Sequence, residues 1–412
     1  MTSREPVDGE AAARAVGIVG AGQLARMMCE AASALGIGAV VLAEAAGEPG
    51  ALAAPAVVVG SPDDPTALRA LAGLCSVLTF DHEQVDVDLL RSLEHGGAVV
   101  RPGPATLDMA VDKAEMRRRL AEAGIPVPAH RVIGKASAAD AVATIAELAS
   151  DHGWPLVVKA ARGGYDGKGV WPVEDLAGAS RVARRASDSG TPLVVAEMVA
   201  IDAELAVAVA RRADGTAVSW PAVETVQVDG LCREVRYPGA LGPDLARRAG
   251  EVARSVADVA RAVGVLAVEL FVSGDRLLVN EVAARPHNSA HWTIEGATTS
   301  QFENHLRAVL DLPLGITDPT APCVATVNVL GDAEGTDPVD RLASALRVPG
   351  AHVHLYGKAP RPGRKLGHVT VCGDEADDVR LRAWAAARAL GTPVPGGADL
   401  PSSGGTDRRG PA

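Results

Sequence analysis

Leu266–His291, LAVELFVSGDRLLVNEVAARPHNSAH, holds two apolar runs, LAVELFV and RLLVNEV, joined around Ser273-Gly274-Asp275. Both runs read as β-strands, and each carries one carboxylate, Glu269 and Glu281, among Val, Leu and Phe. A three-residue turn from Gly274 to Arg276 sets Glu269 opposite Glu281 on one sheet face; a two-residue turn opposes it to Asn280 instead. Two carboxylates facing each other inside an apolar hairpin repel unless a cation lies between them. Hard oxygen ligands beside an amide suit Mg²⁺, which completes its shell with waters and substrate phosphates. Beyond the strand, Arg285-Pro286-His287-Asn288-Ser289 forms a polar cluster suited to an anionic substrate. The competing reading is a surface hairpin with two solvated glutamates, and the rest of the chain weighs against it.

A chain of 412 residues, 48% hydrophobic and 22% charged, has room for two or three domains and an ample core. Its formal charge of −11 argues against a general nucleic-acid binder, whose affinity rests on Lys and Arg at phosphates. Cys29, Cys75, Cys232, Cys323 and Cys372 are odd in number, far apart and without a CxxC pair, which predicts reduced thiols in a cytoplasmic protein. Met1–Ala15 has acidic residues and no apolar core, so it does not read as a secretory signal. Gly, Pro and charges interrupt every apolar run before it reaches membrane-spanning length, so no membrane partner is expected.

The chain opens as βαβ: a strand at Ala15–Val19, the turn Gly20-Ala-Gly22-Gln23-Leu24-Ala25, a helix to about Leu35, and a strand at Ala39–Leu42. Gly20, Gly22 and Ala25 satisfy the dinucleotide fingerprint, and Glu44 stands about where a ribose-binding acid belongs. The alternative is a tight turn that presents helix N–H groups to another ligand. Pro55–Val59 and Val77–Phe80 read as further strands around a helix at Asp64–Leu74. The second strand ends in Asp81-His82-Glu83, at the sheet edge where open α/β folds bind ligands; helix capping by Asp81 is the competing role. Val99–Pro102 closes this first domain.

Asp112–Ala123 is an amphipathic helix containing Lys113, stopped by Gly124-Ile-Pro-Val-Pro128, and Ala138–Ser150 is another. Trp154–Lys159 is a strand ending in lysine, followed by Arg162-Gly163-Gly164-Tyr165-Asp166-Gly167-Lys168-Gly169. Such a loop lets backbone approach phosphate oxygens while Lys and Arg neutralise charge. It is not a Walker A loop, because a strand resumes at Val170. Pro192–Val199 and Leu205–Ala210 are strands flanking a linker, a plausible adenine slot with Glu204 placed for ribose hydroxyls. Pro221–Asp229 is a strand and Asp244–Val263 a long helix. His287 and His291, four apart, lack a third zinc ligand at suitable spacing.

Taken together these stretches resemble an ATP-grasp ligase. GIVGAGQLARM, KAARGGYDGKGVW, NEVAARPHNSAHWTIEGATTSQFENHLRAVLDLPLG and HLYGKAPRPGRKLGH resemble the N5-carboxyaminoimidazole ribonucleotide synthetase (PurK) family of purine biosynthesis, over roughly Val16 to Val371. The resemblance implies an α/β fold in three parts: a Rossmann-like preATP-grasp domain (15–110), an ATP-grasp domain (111–315, with a lid at about 125–196) and a C-terminal ribotide-binding domain (316–392). Residues 1–14 are expected to be flexible and 393–412 disordered.

It implies ATP held by Lys113, Lys159, Gly164, Tyr165, Asp166, Gly167, Lys168, Gly169, Glu197, Val199, Glu204, Gln227, Asn280 and Glu281. Glu269 and Glu281 are to bind Mg²⁺, or Mn²⁺ in its place. Tyr165, Asp166, Arg285, His287 and Asn288 are to surround the reacting groups. Gly22, Gln23, Leu24, His82, Glu83, Lys358, Arg364 and Lys365 are to bind substrate, the last three at the ribotide phosphate. The charge of Tyr356–His368 in an acidic chain, on a backbone stiffened by Pro and Gly, supports an anion clamp independently. Departures from the family pattern are Ala21 and Ala25 for glycine, Lys113 for arginine, Gln227 for histidine, and Asp81-His82-Glu83 for Glu-x-Glu.

The implied reaction carboxylates 5-aminoimidazole ribonucleotide with ATP and bicarbonate through carboxyphosphate, in a homodimer. Arg285 is to stabilise that intermediate, Asp166 to act as base or orienting group, and the glycine-rich loop to close over the site. The alternatives are another ATP-grasp ligase, such as a formate-dependent glycinamide ribonucleotide transformylase, or an NAD-dependent oxidoreductase using Gly20, Gly22 and Glu44.

Overall fold

A computed structural model describes residues 15–163, 169–228, 230–240 and 242–394. The first sheet is parallel, β1 (Val16–Val19), β2 (Ala39–Ala43), β3 (Ala56–Val59) and β4 (Val77–Phe80), in the order β3-β2-β1-β4. β1, β2 and β4 are buried at every position, as short apolar runs covered by helices on both faces must be. Leu78 bridges to Val100, the strand-like segment that ends this unit.

The second sheet is antiparallel: β5 (His130–Ile133), β6 (Leu156–Ala160), β7 (Val170–Val173) and β8 (Leu193–Glu197), ordered β5-β8-β6-β7. Helices Ala138–His152 and Leu176–Ser189 cover one face through Ile145, Leu148, Ala179 and Ala183. β6 alternates buried and half-buried positions, so Lys159 turns away from that packed face.

The third sheet carries the organising hairpin. It comprises β9 (Ala203–Arg211), β10 (Ala217–Ser219), β11 (Val223–Val228), β12 (Leu231–Tyr237), β13 (Gly264–Ser273), β14 (Arg276–Ala283), β15 (Cys323–Leu330), β16 (Ala351–Leu355) and β17 (Lys365–Gly373). The order is β14-β13-β9-β11-β12-β15-β17-β16, with β10 on β9. β12, which sequence reading left unassigned, pairs with β15 (Glu234 opposite Val327), so the C-terminal strands continue the hairpin's own sheet.

One buried polar joint, at His305, fixes the first sheet against the third, and another, at Glu234, ties β12 to helix Ala376–Ala389. Val265 donates its amide to His305 Nδ1 (3.0 Å), so Nε2–H faces Thr79 Oγ1 at 2.7 Å. Helix Gln301–Val309, which carries His305, also buries Phe302, Leu306 and Val309 against helix Gln23–Ala34. In the C-terminal part Glu234, 2% exposed, accepts from Arg236, Arg380 and Trp384.

Candidate active site

The hairpin resolves the two registers left open by sequence in an unexpected way. Ser273 pairs with Arg276, so the turn is the two residues Gly274 and Asp275, with Gly274 at φ 57°. That register opposes Leu270 to Val279, but the ladder then slips and Glu269 stands opposite Glu281. Asn280 is the extra residue of a β-bulge, in which two positions on one strand face one on the other. Amide and carboxylates therefore share a small region. Lys159 Nζ donates to Asn280 Oδ1 at 3.0 Å, and Lys113 Nζ lies 3.8 Å from Glu281 Oε1.

The electrostatics fit a cation. Burial first, then Glu281 and Glu204, push the Glu269 carboxyl up to about 7, although its side chain is still 30% exposed. A carboxyl driven toward neutrality by its neighbours is relieved by a hard cation between them. Among the described residues no three His, Cys, Asp or Glu side chains group as a metal cage. Such a donor set suits Mg²⁺, which takes few protein ligands and leaves positions for water and phosphate oxygens.

On the lid side, Glu197 ends β8. Its Oε1 accepts from the Ala129 amide (2.9 Å) and Arg276 (2.8 Å), which hold the carboxyl below its ordinary range against the desolvation that opposes them. Val199 is buried, and Met198 beside it is exposed. Glu204 lies on β9 opposite Thr225 and Phe271, half-buried, with burial raising its pKa. Gln227 sits near the end of β11, opposite Cys232 after a second bulge. Burial, then the field of Arg117, push Lys159 down to about 8. Gly164, Tyr165, Asp166, Gly167 and Lys168 lie outside the described residues. Gly169, at φ 73°, accepts from the Ala160 amide at 2.8 Å. Before the loop, Arg162 is fastened to Asp108 (2.5 Å) and Asp112 (2.8 Å), while Asp112 also caps helix Lys113–Glu122.

On the acceptor side, Glu83 takes Arg285 Nε at 2.8 Å and the Ala284 amide at 3.2 Å. Against the desolvation that lowers it, Glu83 holds the Arg285 guanidinium above its ordinary pKa. Glu83, expected at substrate, is thus placed to orient Arg285. His287 is held by Gln301, whose Oε1 accepts its amide and whose Nε2 donates to its carbonyl, both at 2.8 Å. Nδ1 of His287 accepts from the Ser289 amide (3.3 Å), which assigns the proton to Nε2, 3.7 Å from Glu269 Oε1. Burial and then Arg285 push this imidazole well below 6.5, so it is neutral.

Asn288 Oδ1 meets His291 Nε2 at 3.1 Å and Gln23 Nε2 at 3.5 Å, and Gln23 Oε1 accepts from Lys358. Gln23 therefore ties all three parts of the chain together. Lys365 opens β17 close enough to Glu269 to oppose the rise of its pKa, while Arg364, half-buried, donates to the Ala359 carbonyl at 3.0 Å. Ring nitrogens of His291 are engaged by Asn288 and Gln301, and burial drives it down to about 3, which suits a packed neutral histidine rather than a zinc ligand.

The first glycine turn has a different occupant from the one its fingerprint suggests. Asp81 accepts from the Gly22 amide and from the Ala25 amide (3.1 Å), so a carboxylate fills the N-terminus of helix Gln23–Ala34. A Cβ at Gly22 would collide with that carboxylate. A dinucleotide pyrophosphate needs the same N–H groups and is repelled by the same charge, which argues against the NAD reading. Leu24 is buried in the core, leaving only its backbone for a ligand, and Glu44 is exposed. The His82 ring lies against Gly20, with Nδ1 buried and unbonded.

Sequence reading missed Gln301, Arg276 and Arg117. Each acts through tertiary contact from an ordinary helix, turn or strand position, so no local pattern marks it.

Residues 13–111 match the ribonucleotide synthetase preATP-grasp domain, 118–302 the ATP-grasp domain, and 325–382 the phosphoribosylaminoimidazole carboxylase C-terminal domain. The N5-carboxyaminoimidazole ribonucleotide synthase of Mycobacterium tuberculosis is 48% identical over 394 residues, covering 94% of this chain and 90% of that protein. The N5-carboxyaminoimidazole ribonucleotide synthetase of Thermus thermophilus superposes with a TM-score of 0.82 at 34% identity, over 92% of this chain and 99% of that one. An Aspergillus clavatus N5-carboxyaminoimidazole synthase in complex with ADP and 5-aminoimidazole ribonucleotide superposes with a TM-score of 0.82 at 31% identity, over the same 92% and 99%.

Proposed function

The chain belongs to the N5-carboxyaminoimidazole ribonucleotide synthase family of ATP-grasp enzymes, and from that membership we infer its reaction: ATP- and bicarbonate-dependent carboxylation of 5-aminoimidazole ribonucleotide in purine biosynthesis. The observation that best supports this reading is the bulge-set opposition of Glu269 and Glu281 where the chain's three parts meet.

Bicarbonate attacks the γ-phosphorus of ATP, the bond to ADP breaks, and carboxyphosphate forms. Mg²⁺, or Mn²⁺, held by Glu269 and Glu281 with Asn280 alongside, would neutralise charge on the transferring phosphoryl group. Lys113 and Lys159 flank the same oxygens and offset the charge of the phosphate chain. Arg285, oriented by Glu83, faces the carboxyphosphate. The exocyclic amine then takes the carboxyl carbon, directly or as CO₂ released in the closed site, and phosphate leaves. Neutral His287, with Nε2–H toward the cleft, donates a hydrogen bond and is not the base. Tyr165 and Asp166 remain candidates beside the amine. Lys358, Arg364 and Lys365 receive the ribotide phosphate, with Gln23 orienting Lys358.

Among the described residues no helix is long and apolar enough to cross a membrane. A cytoplasmic homodimer is part of the same proposal, and sedimentation of the purified protein checks its assembly.

The deciding experiment measures phosphate release from MgATP and bicarbonate, with and without 5-aminoimidazole ribonucleotide. Release matched to loss of the aminoimidazole supports the reading. Cleavage that instead requires formate and glycinamide ribonucleotide keeps the fold and replaces the reaction.

A further inference from the structure

Arg117 is a deeply buried cation with almost nothing bonded to it. It lies in the second turn of helix Lys113–Glu122 and is 1% exposed. Among the described residues its Nε has no partner, and its bond from Nη1 to the Pro128 carbonyl is a long 3.4 Å. Among the described residues no carboxylate reaches ion-pair distance of it. Arg285 and Arg380, less deeply covered, each have a glutamate oxygen at 2.8 Å. A buried, unpaired charge destabilises a fold strongly, and an orphaned donor in a native structure calls for a specific cause.

Placement points to the cause. Arg117 follows Lys113 by one helical turn, so the two cations share a helix face, and Lys113 Nζ lies 3.8 Å from Glu281. On its other side, Pro128 precedes Ala129, whose amide binds Glu197 at 2.9 Å. The guanidinium therefore lies between the metal carboxylate Glu281 and the linker glutamate Glu197, whose fields both reach it, and its own field reaches Lys159 at the phosphate end of the span a bound nucleotide must cross. Burial pulls its pKa down to about 10, which leaves it charged at neutral pH.

We propose that Arg117 is a further residue of the nucleotide site, a cation held unpaired beneath the cleft whose partner is the polyphosphate of a bound nucleoside triphosphate. It acts across the cleft wall through its field, which a low-dielectric surround screens little. The proposal deepens the nucleotide reading and rests on it. The opposing account is a structural arginine whose stem fills the core, and the two differ in sign for the ligand-free protein.

The test compares Arg117→Met, which keeps most of the volume and loses the charge, with Arg117→Lys, which keeps the charge. Calorimetry gives the dissociation constants for MgADP and, separately, 5-aminoimidazole ribonucleotide; thermal unfolding gives the ligand-free Tm. Arg117→Met is expected to weaken MgADP binding about tenfold, leave the ribotide constant unchanged, and melt at or above wild type without ligand. Arg117→Lys is expected to stay within about threefold of wild type for MgADP. An unchanged MgADP constant in Arg117→Met overturns the proposal. So does a ligand-free Tm below wild type, including failure to fold, or Arg117→Lys binding as weakly as Arg117→Met. Wild type that binds no MgADP removes the nucleotide reading itself; tight wild-type binding with an indifferent variant removes only this inference.

Discussion

Glu269 and Glu281 stand opposite each other although only Gly274 and Asp275 join their strands, because Asn280 is an extra residue in the ladder. Without that bulge the register faces Glu269 with Asn280 and sends Glu281 to the other sheet face. One inserted residue thus sets the charge density of the cleft floor.

Glu281→Gln removes half of the opposed pair. At about 1 mM Mg²⁺ the rate of phosphate release should fall at least about 100-fold, with partial recovery as Mg²⁺ is raised. Melting temperature should not drop, since the repulsion with Glu269 goes too. Near-wild-type turnover in a steady-state phosphate assay takes Glu281 out of the metal site.

Glu83→Gln keeps the shape but loosens Arg285, whose Nε it holds at 2.8 Å. The expected signature is a kcat lower by about 10- to 100-fold with little change in the KM for ATP. A rise in the ATP KM at constant kcat would place this pair in nucleotide binding instead.

Lys358→Ala should raise the KM for the ribotide about tenfold or more while that for ATP moves little, as expected for a lost charge-assisted phosphate contact. Gln23→Ala should shift the same constant less, because it reaches the phosphate through Lys358, whose ammonium donates to its Oε1. Equal effects on both substrates count against a separate phosphate clamp.

Glu234 ties β12 to the C-terminal helix. Burial opposes its ionised form, but Arg236, Arg380 and Trp384 prevail and hold its pKa below the ordinary 4.5. Its contribution to stability is therefore complete above about pH 4.5 and is lost as pH falls through the depressed value. Glu234→Gln should cost about 3 kcal/mol near neutrality by removing the buried charge that Arg236, Arg380 and Trp384 share, and should flatten the acid limb of denaturant stability measured between about pH 5 and pH 3. An acid limb identical to wild type would falsify the assignment.

Local patterning made much of this molecule legible. Val77–Phe80 was readable as a strand because Val, Leu and Phe with a β-branched Thr stand between turn signals, and the structure keeps those bounds. Helix Lys113–Glu122 and its Asp112 cap follow from an acid placed just before an amphipathic run. The carboxylates of the hairpin, the lysine-ended strand and the basic segment at Lys358–Lys365 were likewise visible as residue types in telling places. β12 was not, since Leu231–Tyr237 interleaves Cys, Arg and Glu and has the look of a polar connector.

What the sequence determined by itself was the inventory: most strands and helices of the first two-thirds of the chain, and which side chains have phosphate, metal or anion chemistry to offer. Those follow from periodicity, capping and residue type, all of them local. Partnership was decided only by the tertiary structure. Asp81 fills the glycine turn that reads as a dinucleotide site, Glu83 serves Arg285, and Gln301 clamps His287. Asn280 bulges to bring Glu269 and Glu281 together, and Arg117 is buried with no counter-ion among the described residues. The Asp81 and Glu83 contacts depend on segments far apart in the chain meeting within a few ångströms, and all of these relationships depend on pairing and on the low dielectric of packed surroundings, which residue type and local periodicity do not specify.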